Sequence, residues 1–149
     1  MKSAFVVTML AASVSTPVAF RDIPTKEAAQ AAMDRAMHYE TEQGPSALVR
    51  NLQKDNSSLH AGKIRVFALD GAGRVLADSI QPQRVGRDVL ALKDVDGAQP
   101  YQEALRLAHA SGGGWVYYRT RDPVTRTERA EAALVKRIDG VVLVSARAD

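Results

Sequence analysis

Apolar residues at helical spacing mark the first structural element that the sequence predicts. Residues 26–43 read KEAAQAAMDRAMHYETEQ, where apolar positions three and four apart fall on one face of a helix. The residues of this stripe are Ala29, Met33, Ala36 and Met37. Thr25 is the predicted N-cap, and Gly44-Pro45 predicts the end of the helix. A shorter helix is predicted next, with one apolar side formed by Leu48, Val49 and Leu52.

The pattern then changes from helical segments to segments rich in strand-forming residues. Residues 63–79 read KIRVFAL, DGAG and RVLADS, which predicts a β-hairpin with a tight turn. A long loop leads to a helix that begins near Pro100 and ends at the glycines of Ser111–Gly114. Three more strands are predicted with the sequences WVYYRT, RAEAALVKRI and VVLVSA, the last two joined by a turn at Asp139-Gly140. This order predicts an α+β domain with an antiparallel sheet of about five strands.

The amino terminus has the pattern of a secretory signal peptide. Met1-Lys2-Ser3 is a short basic start, followed by the apolar run AFVVTMLAASV, which is shorter than the roughly 20 residues of a transmembrane helix. We therefore expect a signal peptide over residues 1–19, cleaved between residues 13 and 19, and a single domain over residues 20–149. The alternative is a buried N-terminal strand or helix. A cleaved signal predicts a periplasmic or secreted protein without a membrane span.

Composition narrows the chemistry. The chain has no cysteine, which removes thiol nucleophiles and cysteine-based attachment of haem or metal. Its formal charge of +3 comes from arginines dispersed among acidic residues, which argues against a nucleic-acid partner. The sequence contains no GxSxG elbow and no histidine pair one helical turn apart, so it predicts no enzyme, no catalytic residues, no metal and no cofactor. A haem or metal carrier remains a remote alternative, suggested by three histidines and four methionines.

The segment LKDVDGAQPYQE, residues 92–103, partly matches a calcium-binding EF-hand loop. The first ligand position is Leu92, which has no side-chain oxygen, and a loop rather than a helix is predicted before it. We therefore interpret the segment as a turn that leads into the third helix. Asp94 and Asp96 are predicted to accept hydrogen bonds from backbone amides, with Gly97 in an unusual backbone conformation.

Three segments carry a family resemblance, and they read IRVFALDGAGRVLADS, RVGRDVLALKDVDGAQPYQE and GGGWVYYRTRDPVTRTERAEAALVKRI. In this order they resemble the Cache domain family, in particular the small single-Cache modules of extracytoplasmic sensors, and the resemblance covers residues 25–144. It implies a PAS-like fold, with a long N-terminal helix on one face of the sheet and pocket-forming helices and loops on the other. It also implies binding of small molecules, commonly carboxylates, amino acids or similar metabolites.

Individual positions follow the family pattern unevenly. Trp115, Tyr118 and Tyr101 stand where the resemblance places aromatic residues. Glu131 stands where the third motif has lysine, and Leu134 where it has tyrosine. These departures leave the class of ligand open.

The third predicted strand supplies most of the candidate ligand contacts. Alternation places Trp115, Tyr117 and Arg119 on one face and Val116, Tyr118 and Thr120 on the other. Aromatic rings beside an arginine suit a ligand pocket with a few convergent polar groups. An equal alternative is that these residues form an ordinary sheet core with an amphipathic rim. Arginines bind carboxylates bidentately, which makes Arg84, Arg119 and Arg129 candidate anion contacts. The predicted ligand-binding residues are therefore Trp115, Tyr117, Tyr118, Arg119, Tyr101, Arg84 and Arg129.

The sequence thus favours an exported, non-enzymatic module that senses or carries a small carboxylate or amino-acid-like metabolite. A separate partner would act on its signal, for example a membrane sensor kinase, a chemoreceptor or a transporter. The main alternative is a protein-interaction or dimerisation scaffold with a filled pocket, for example a homodimer.

Overall fold

The computed structural model describes Ile23 and residues 25–54, 57–60 and 62–148. The predicted signal peptide and its cleavage site lie outside the described residues. Three α-helices and five strands form within the described part of the chain. They are α1 (Thr25–Gln43), α2 (Pro45–Leu52), β1 (Ile64–Asp70), β2 (Val75–Asp78), α3 (Pro100–Ser111), β3 (Gly113–Arg121), β4 (Glu128–Ile138) and β5 (Val141–Arg147).

The strands form one antiparallel sheet in the order β2-β1-β5-β4-β3. The predicted α+β class and five-stranded antiparallel sheet are confirmed. β1 and β5 lie side by side near the centre, and β2 and β3 form the two edges. β1 is buried on both faces, because successive strand residues point to opposite sides and each side is covered by helices.

Helices cover both faces of the sheet. α1 and α2 pack on one face, where a buried cluster includes Met33, Leu48 and Val66. α3 packs on the other face, where a second cluster includes Phe67 and Leu105. The long N-terminal helix on one face and the shorter helix on the other are the arrangement that the family resemblance implies.

Glycine and proline set the boundaries of the helices, as predicted. Gly44, with φ of 86°, separates α1 from Pro45 at the first position of α2. Gly112 ends α3 in the left-handed conformation, with φ of 78°, and its N–H donates to the carbonyl of Ala108. Thr25 differs from the prediction, because it is itself part of α1 and its hydroxyl donates to Glu131 Oε2 over 3.1 Å.

The loop between β2 and α3 crosses from one edge of the sheet to the other. Near β2, the N–H of Val89 donates to the carbonyl of Gly73. Near β3, the N–H of Val95 donates to the carbonyl of Arg119 over 3.2 Å. Since both edges hold this loop, it and α3 together close the space over that face of the sheet.

Candidate ligand-binding cavity

A small cavity lies between α3 and the sheet. Its volume is about 70 Å³, well below the roughly 300–1,000 Å³ of pockets for drug-sized ligands. It therefore suits a ligand of a few non-hydrogen atoms. The lining residues are Arg65, Phe67, Pro100, Tyr101, Ala104, Val116, Tyr118, Ala133, Val144, Ala146 and Arg147.

The cavity arises because small side chains face large ones. Ala104, Ala133 and Ala146 are buried and fill little of the space between α3 and the sheet. Phe67 and Tyr101 form an aromatic wall, with ring centroids 6.0 Å apart and planes tilted by 58°. The result is an apolar cavity with polar groups at only a few positions of its lining.

A buried carboxylate forms ion pairs with two arginines beside this cavity. The side chain of Asp78 is fully buried, and its Oδ2 lies 3.2 Å from Arg84 Nη1 and 3.8 Å from Arg65 Nη1. Both guanidinium groups also lie over the ring of Phe67, at 5.3 and 5.1 Å from its centroid. Because Arg65 lines the cavity, Asp78 and Phe67 fix a guanidinium group in the cavity wall.

A second buried carboxylate lies behind another arginine of the lining. Glu131, which is 3% exposed, accepts hydrogen bonds from Arg129 Nε over 2.8 Å and from the Thr25 hydroxyl over 3.1 Å. Its Oε1 also lies 3.9 Å from Arg147 Nη1. That separation exceeds a hydrogen-bond distance, so Arg147 is attracted to Glu131 without being hydrogen-bonded to it.

The two arginines of the lining carry unused hydrogen-bond donors. Among the described residues, no hydrogen-bond partner exists for Nε of Arg65 or for Nε of Arg147, and both atoms are buried. Buried polar groups in folded proteins nearly always have a partner. Two such donors on residues that line one cavity favour an acceptor inside it.

Tyr101 adds a third polar group. Its hydroxyl accepts a hydrogen bond from Arg84 Nη2 over 2.8 Å. A phenol that accepts one hydrogen bond retains its own proton as a donor. The polar groups of Arg65, Arg147 and Tyr101 are therefore donors that suit an anionic or carbonyl oxygen.

The structure gathers four of the seven predicted ligand-binding residues at or beside this cavity. Tyr101 and Tyr118 line it. Arg84 donates to Tyr101 from outside the lining. Arg129 is one step further away, because its guanidinium donates to Glu131.

The other three predicted residues do not reach the cavity. Trp115 and Tyr117 lie on the opposite face of β3, where Lys26 Nζ stands 4.6 and 5.2 Å from their ring centroids. Arg119 shares that face and forms ion pairs with Asp96 and Glu128 at the sheet edge. The physical reason is strand alternation, since only the Val116–Tyr118 face of β3 points toward α3.

Sequence reasoning missed Arg65 and Arg147. Arg65 interrupts the apolar run of β1, a strand that is buried on both faces, and it is 7% exposed. A charged residue within such an apolar run is a sequence signal that could have identified Arg65, because a buried charge needs a partner. Arg147 is the last residue of β5, and no local pattern distinguishes it from a surface arginine.

The segment around Asp94 is a structural turn, as predicted from its sequence. Asp94 Oδ1 accepts the N–H groups of Asp96 and Ala98, and Oδ2 accepts the N–H of Arg119. Burial opposes ionisation, but these hydrogen bonds outweigh it and lower the pKa of Asp94 below its usual value. Gly97 has the positive φ expected there, 80°, whereas Asp96 pairs with the Arg119 side chain instead of a backbone amide.

Within the described residues, no three histidine or acidic side chains cluster in a way that could hold a metal ion. The described helices include none that is both long and apolar enough to cross a bilayer.

A five-stranded antiparallel sheet, a long N-terminal helix on one face and a cavity under α3 define a domain of the PAS-like fold class. The chain belongs to the single Cache family, since the family model described as Single Cache domain 2 matches residues 23–149. Cache domains are extracytoplasmic, and they typically bind ligands without catalysing reactions. No significant match exists among curated proteins.

Solved structures with this fold include sensor domains of chemotaxis proteins. A methyl-accepting chemotaxis protein from Vibrio parahaemolyticus RIMD 2210633 is 16% identical, with a TM-score of 0.62, over 81% of this chain and 86% of that one. A structure described as the periplasmic sensor domain of a chemotaxis protein is 22% identical, with a TM-score of 0.54, over 83% and 90%. A structure described as a Cache chemosensory domain that recognises carboxylic acid is 18% identical, with a TM-score of 0.55, over 83% and 88%. At these identities the likeness is one of fold.

Proposed function

We propose that this chain is an exported, non-enzymatic Cache domain that binds a small carboxylate in the cavity under α3. The observation that carries the proposal is that Arg65, whose Nε is buried without a hydrogen-bond partner, lines the cavity. A carboxylate oxygen accepts hydrogen bonds from guanidinium groups with favourable geometry and charge. Bound there, it would satisfy a donor that has no partner among the described residues.

The charge distribution favours a carboxylate over an amino acid. An amino acid needs an acceptor for its ammonium group as well as a donor for its carboxylate. The two carboxylates nearest the cavity are already engaged, Asp78 by Arg65 and Arg84, and Glu131 by Arg129 and Thr25. The cavity therefore offers donors to a ligand and holds its own acceptors in ion pairs.

The size of the cavity limits the ligand further. A volume of about 70 Å³ and walls of aromatic rings and alanine methyl groups suit a short apolar chain attached to one carboxylate. The similar structure whose description names carboxylic acid recognition agrees with this ligand class. We expect the domain to work in the periplasm or outside the cell. Its occupancy would be read by a separate membrane sensor kinase, chemoreceptor or transporter.

A binding screen with matched compounds tests the proposal. Purified protein is titrated by calorimetry with acetate, propionate and butyrate, with the amides of the same acids, and with glycine and alanine. We expect saturable binding of at least one acid and a dissociation constant at least about tenfold weaker for its amide, because the amide has no charge for Arg65. If no acid binds, or if acid and amide bind alike, the proposal is wrong and the filled-pocket scaffold becomes the better interpretation.

Two variants place the binding in the cavity. Ala133→Leu adds a larger side chain to the lining and should abolish binding of the acid. Arg65→Gln should weaken binding of the acid by about tenfold or more and leave the amide nearly unaffected. Arg106→Gln is the matched control, because Arg106 is exposed and pairs only locally on α3 with Glu103.

A further inference from the structure

The floor of the cavity is one row of side chains across the sheet. Strand pairing places Arg65 of β1 opposite Ala146 of β5. It also places Val116 of β3 opposite Ala133 of β4. The register of β4 and β5, continued by one residue, brings Ala133 beside Ala146. The row therefore runs from β1 to β3 in the order Arg65, Ala146, Ala133 and Val116, and all four residues line the cavity.

This row gives the cavity a direction. Neighbouring strands lie about 4.8 Å apart, so the three spacings from β1 to β3 cover about 14 Å between the backbones of Arg65 and Val116. The two alanines in the middle of the row are buried, and so is Ala104 of α3, which lines the cavity with them. Their small side chains leave a narrow space that starts at an arginine and runs toward the edge of the sheet.

A second, open cleft begins where the row ends. β3 is an edge strand of the sheet that the described residues form. The cleft has a volume of about 590 Å³ and lies between the first turns of α3 and the edge of β3. Pro100 and Val116 line both the cavity and the cleft. The two spaces therefore meet at this pair of residues.

The lining of the cleft suits an apolar chain. Its apolar surface consists of Ala98, Pro100, Val116 and the half-buried ring of Tyr117. The charged residues of its lining, Glu103 and Arg106, form an ion pair with each other on α3. They offer nothing to an apolar chain and no unpaired charge to a second carboxylate. Because the cleft is open, the far end of such a chain would remain in contact with water.

We propose that the cleft at the edge of β3 binds the apolar tail of a medium-chain monocarboxylic acid, such as hexanoate or octanoate, whose carboxylate binds at Arg65. The cavity is too small for the whole molecule, and it holds the carboxylate and the first carbons. The chain follows the row of alanines, passes between Pro100 and Val116 and ends in the cleft. This inference rests on the proposed function and adds the length of the ligand.

A series of acids tests the length. Butyrate, hexanoate and octanoate are titrated by calorimetry into the wild-type protein, below the concentrations at which the acids form micelles. Each fully buried CH₂ group raises affinity by about fourfold, and an open cleft buries a chain only in part. We therefore expect affinity to rise along the series, with octanoate at least about tenfold tighter than butyrate. A smaller gain would overturn the inference.

A blocking variant tests the position of the tail. Ala98 lines the cleft but not the cavity, and it is exposed. In Ala98→Trp the indole would occupy the cleft, so octanoate should bind no more than about threefold more tightly than butyrate. Butyrate itself should bind as in the wild type. A larger gain with length in this variant would overturn the inference.

Ala31→Trp is the matched control. Ala31 is exposed on α1, which packs on the other face of the sheet. The same indole placed there should leave the full gain with chain length. Loss of the gain in this control as well would show that the effect of Ala98→Trp does not come from the cleft, and would also overturn the inference.

A second wild-type measurement keeps the inference testable if Ala98→Trp does not fold. Octanoate with a terminal hydroxyl group should bind within about fivefold of octanoate, because the far end of the chain lies in the open cleft and the hydroxyl keeps its water. A larger loss would mean that the chain end is enclosed, and would refute the assigned path. Binding of butyrate without a gain for longer acids would refute the tail site alone. Absence of binding by every acid would refute the proposed function, so the two failures are distinct.

Discussion

Replacing Asp78 by asparagine should destabilise the domain strongly, because its carboxylate compensates two buried guanidinium groups. The asparagine side chain would keep an oxygen for the N–H groups of Ile80 and Gln81, which Asp78 Oδ1 accepts at 3.0 and 2.9 Å. Its amide group would replace Oδ2 and turn N–H donors toward Arg84 and Arg65. The side chains of those arginines are only 12% and 9% exposed, so water cannot take over as their partner.

The expected loss follows from this geometry. Removing one partner of a buried ion pair costs about 3–5 kcal/mol, because the remaining charge stays buried without compensation. That is a large part of the roughly 5–15 kcal/mol by which domains are stable. For a chain of this length it corresponds to a fall in Tm of roughly 6–20 °C.

Urea unfolding followed by circular dichroism measures the effect. Asp34→Asn is the matched control, since Asp34 is exposed on α1 and only accepts a hydrogen bond from Gln30. It should change the free energy of unfolding by less than about 0.5 kcal/mol. A loss below about 1 kcal/mol for Asp78→Asn, with an unchanged denaturant slope, would refute the view that Asp78 is the required counter-charge of the site.

Further predictions concern the sheet edge and the turn beside it. In urea unfolding, Gly113→Ala should lower the free energy of unfolding by at least about 2 kcal/mol more than Gly114→Ala does. Both glycines have φ of 149°, but only at Gly113 would a Cβ overlap the carbonyl oxygen of Val135. Equal losses of stability in the two variants would contradict this prediction. Asp94→Asn should lower the free energy of unfolding by about 1–2 kcal/mol at neutral pH, because the carboxylate accepts three backbone N–H groups. Since the folded pKa of Asp94 lies below the usual 3.8, the stability it contributes is present above that pH and is lost as the pH falls through the folded pKa. The gap between wild type and variant should therefore close on acidification, and a gap that stays constant down to the acid transition would refute this assignment.

Much of the fold could be predicted from local patterns. The stripe of Ala29 and Met33 predicts a helix with one buried face, and both residues are buried in α1. Gly112 and Asp139-Gly140 predict chain reversals, which form from a few consecutive residues. In the structure α3 ends before Gly112, and β4 ends before Asp139-Gly140. These signals work because helix and strand periods, and the conformational freedom of glycine, act within a few residues.

The candidate site depended on tertiary structure. The sequence could show that β3 has two different faces, but α3 decides which face is enclosed, so Tyr118 meets the cavity and Trp115 does not. Thr25 illustrates the same limit. A local rule predicted that it caps α1, but its hydroxyl instead donates a hydrogen bond to Glu131, which lies on β4 far along the chain.

The sequence by itself therefore determined the order of elements, the fold class and the family, since these depend on period, turn residues and motif order. Tertiary structure alone decided where the charges meet. β1 and β5 pair so that Arg65 lies opposite Ala146, the neighbour of Arg147, which brings Arg65 and Arg147 to one cavity although they are far apart in the chain. Their partners, Asp78 and Glu131, come from two other strands. Charge compensation is set by distance and burial, and neither quantity exists until the strands have paired and the helices have covered them.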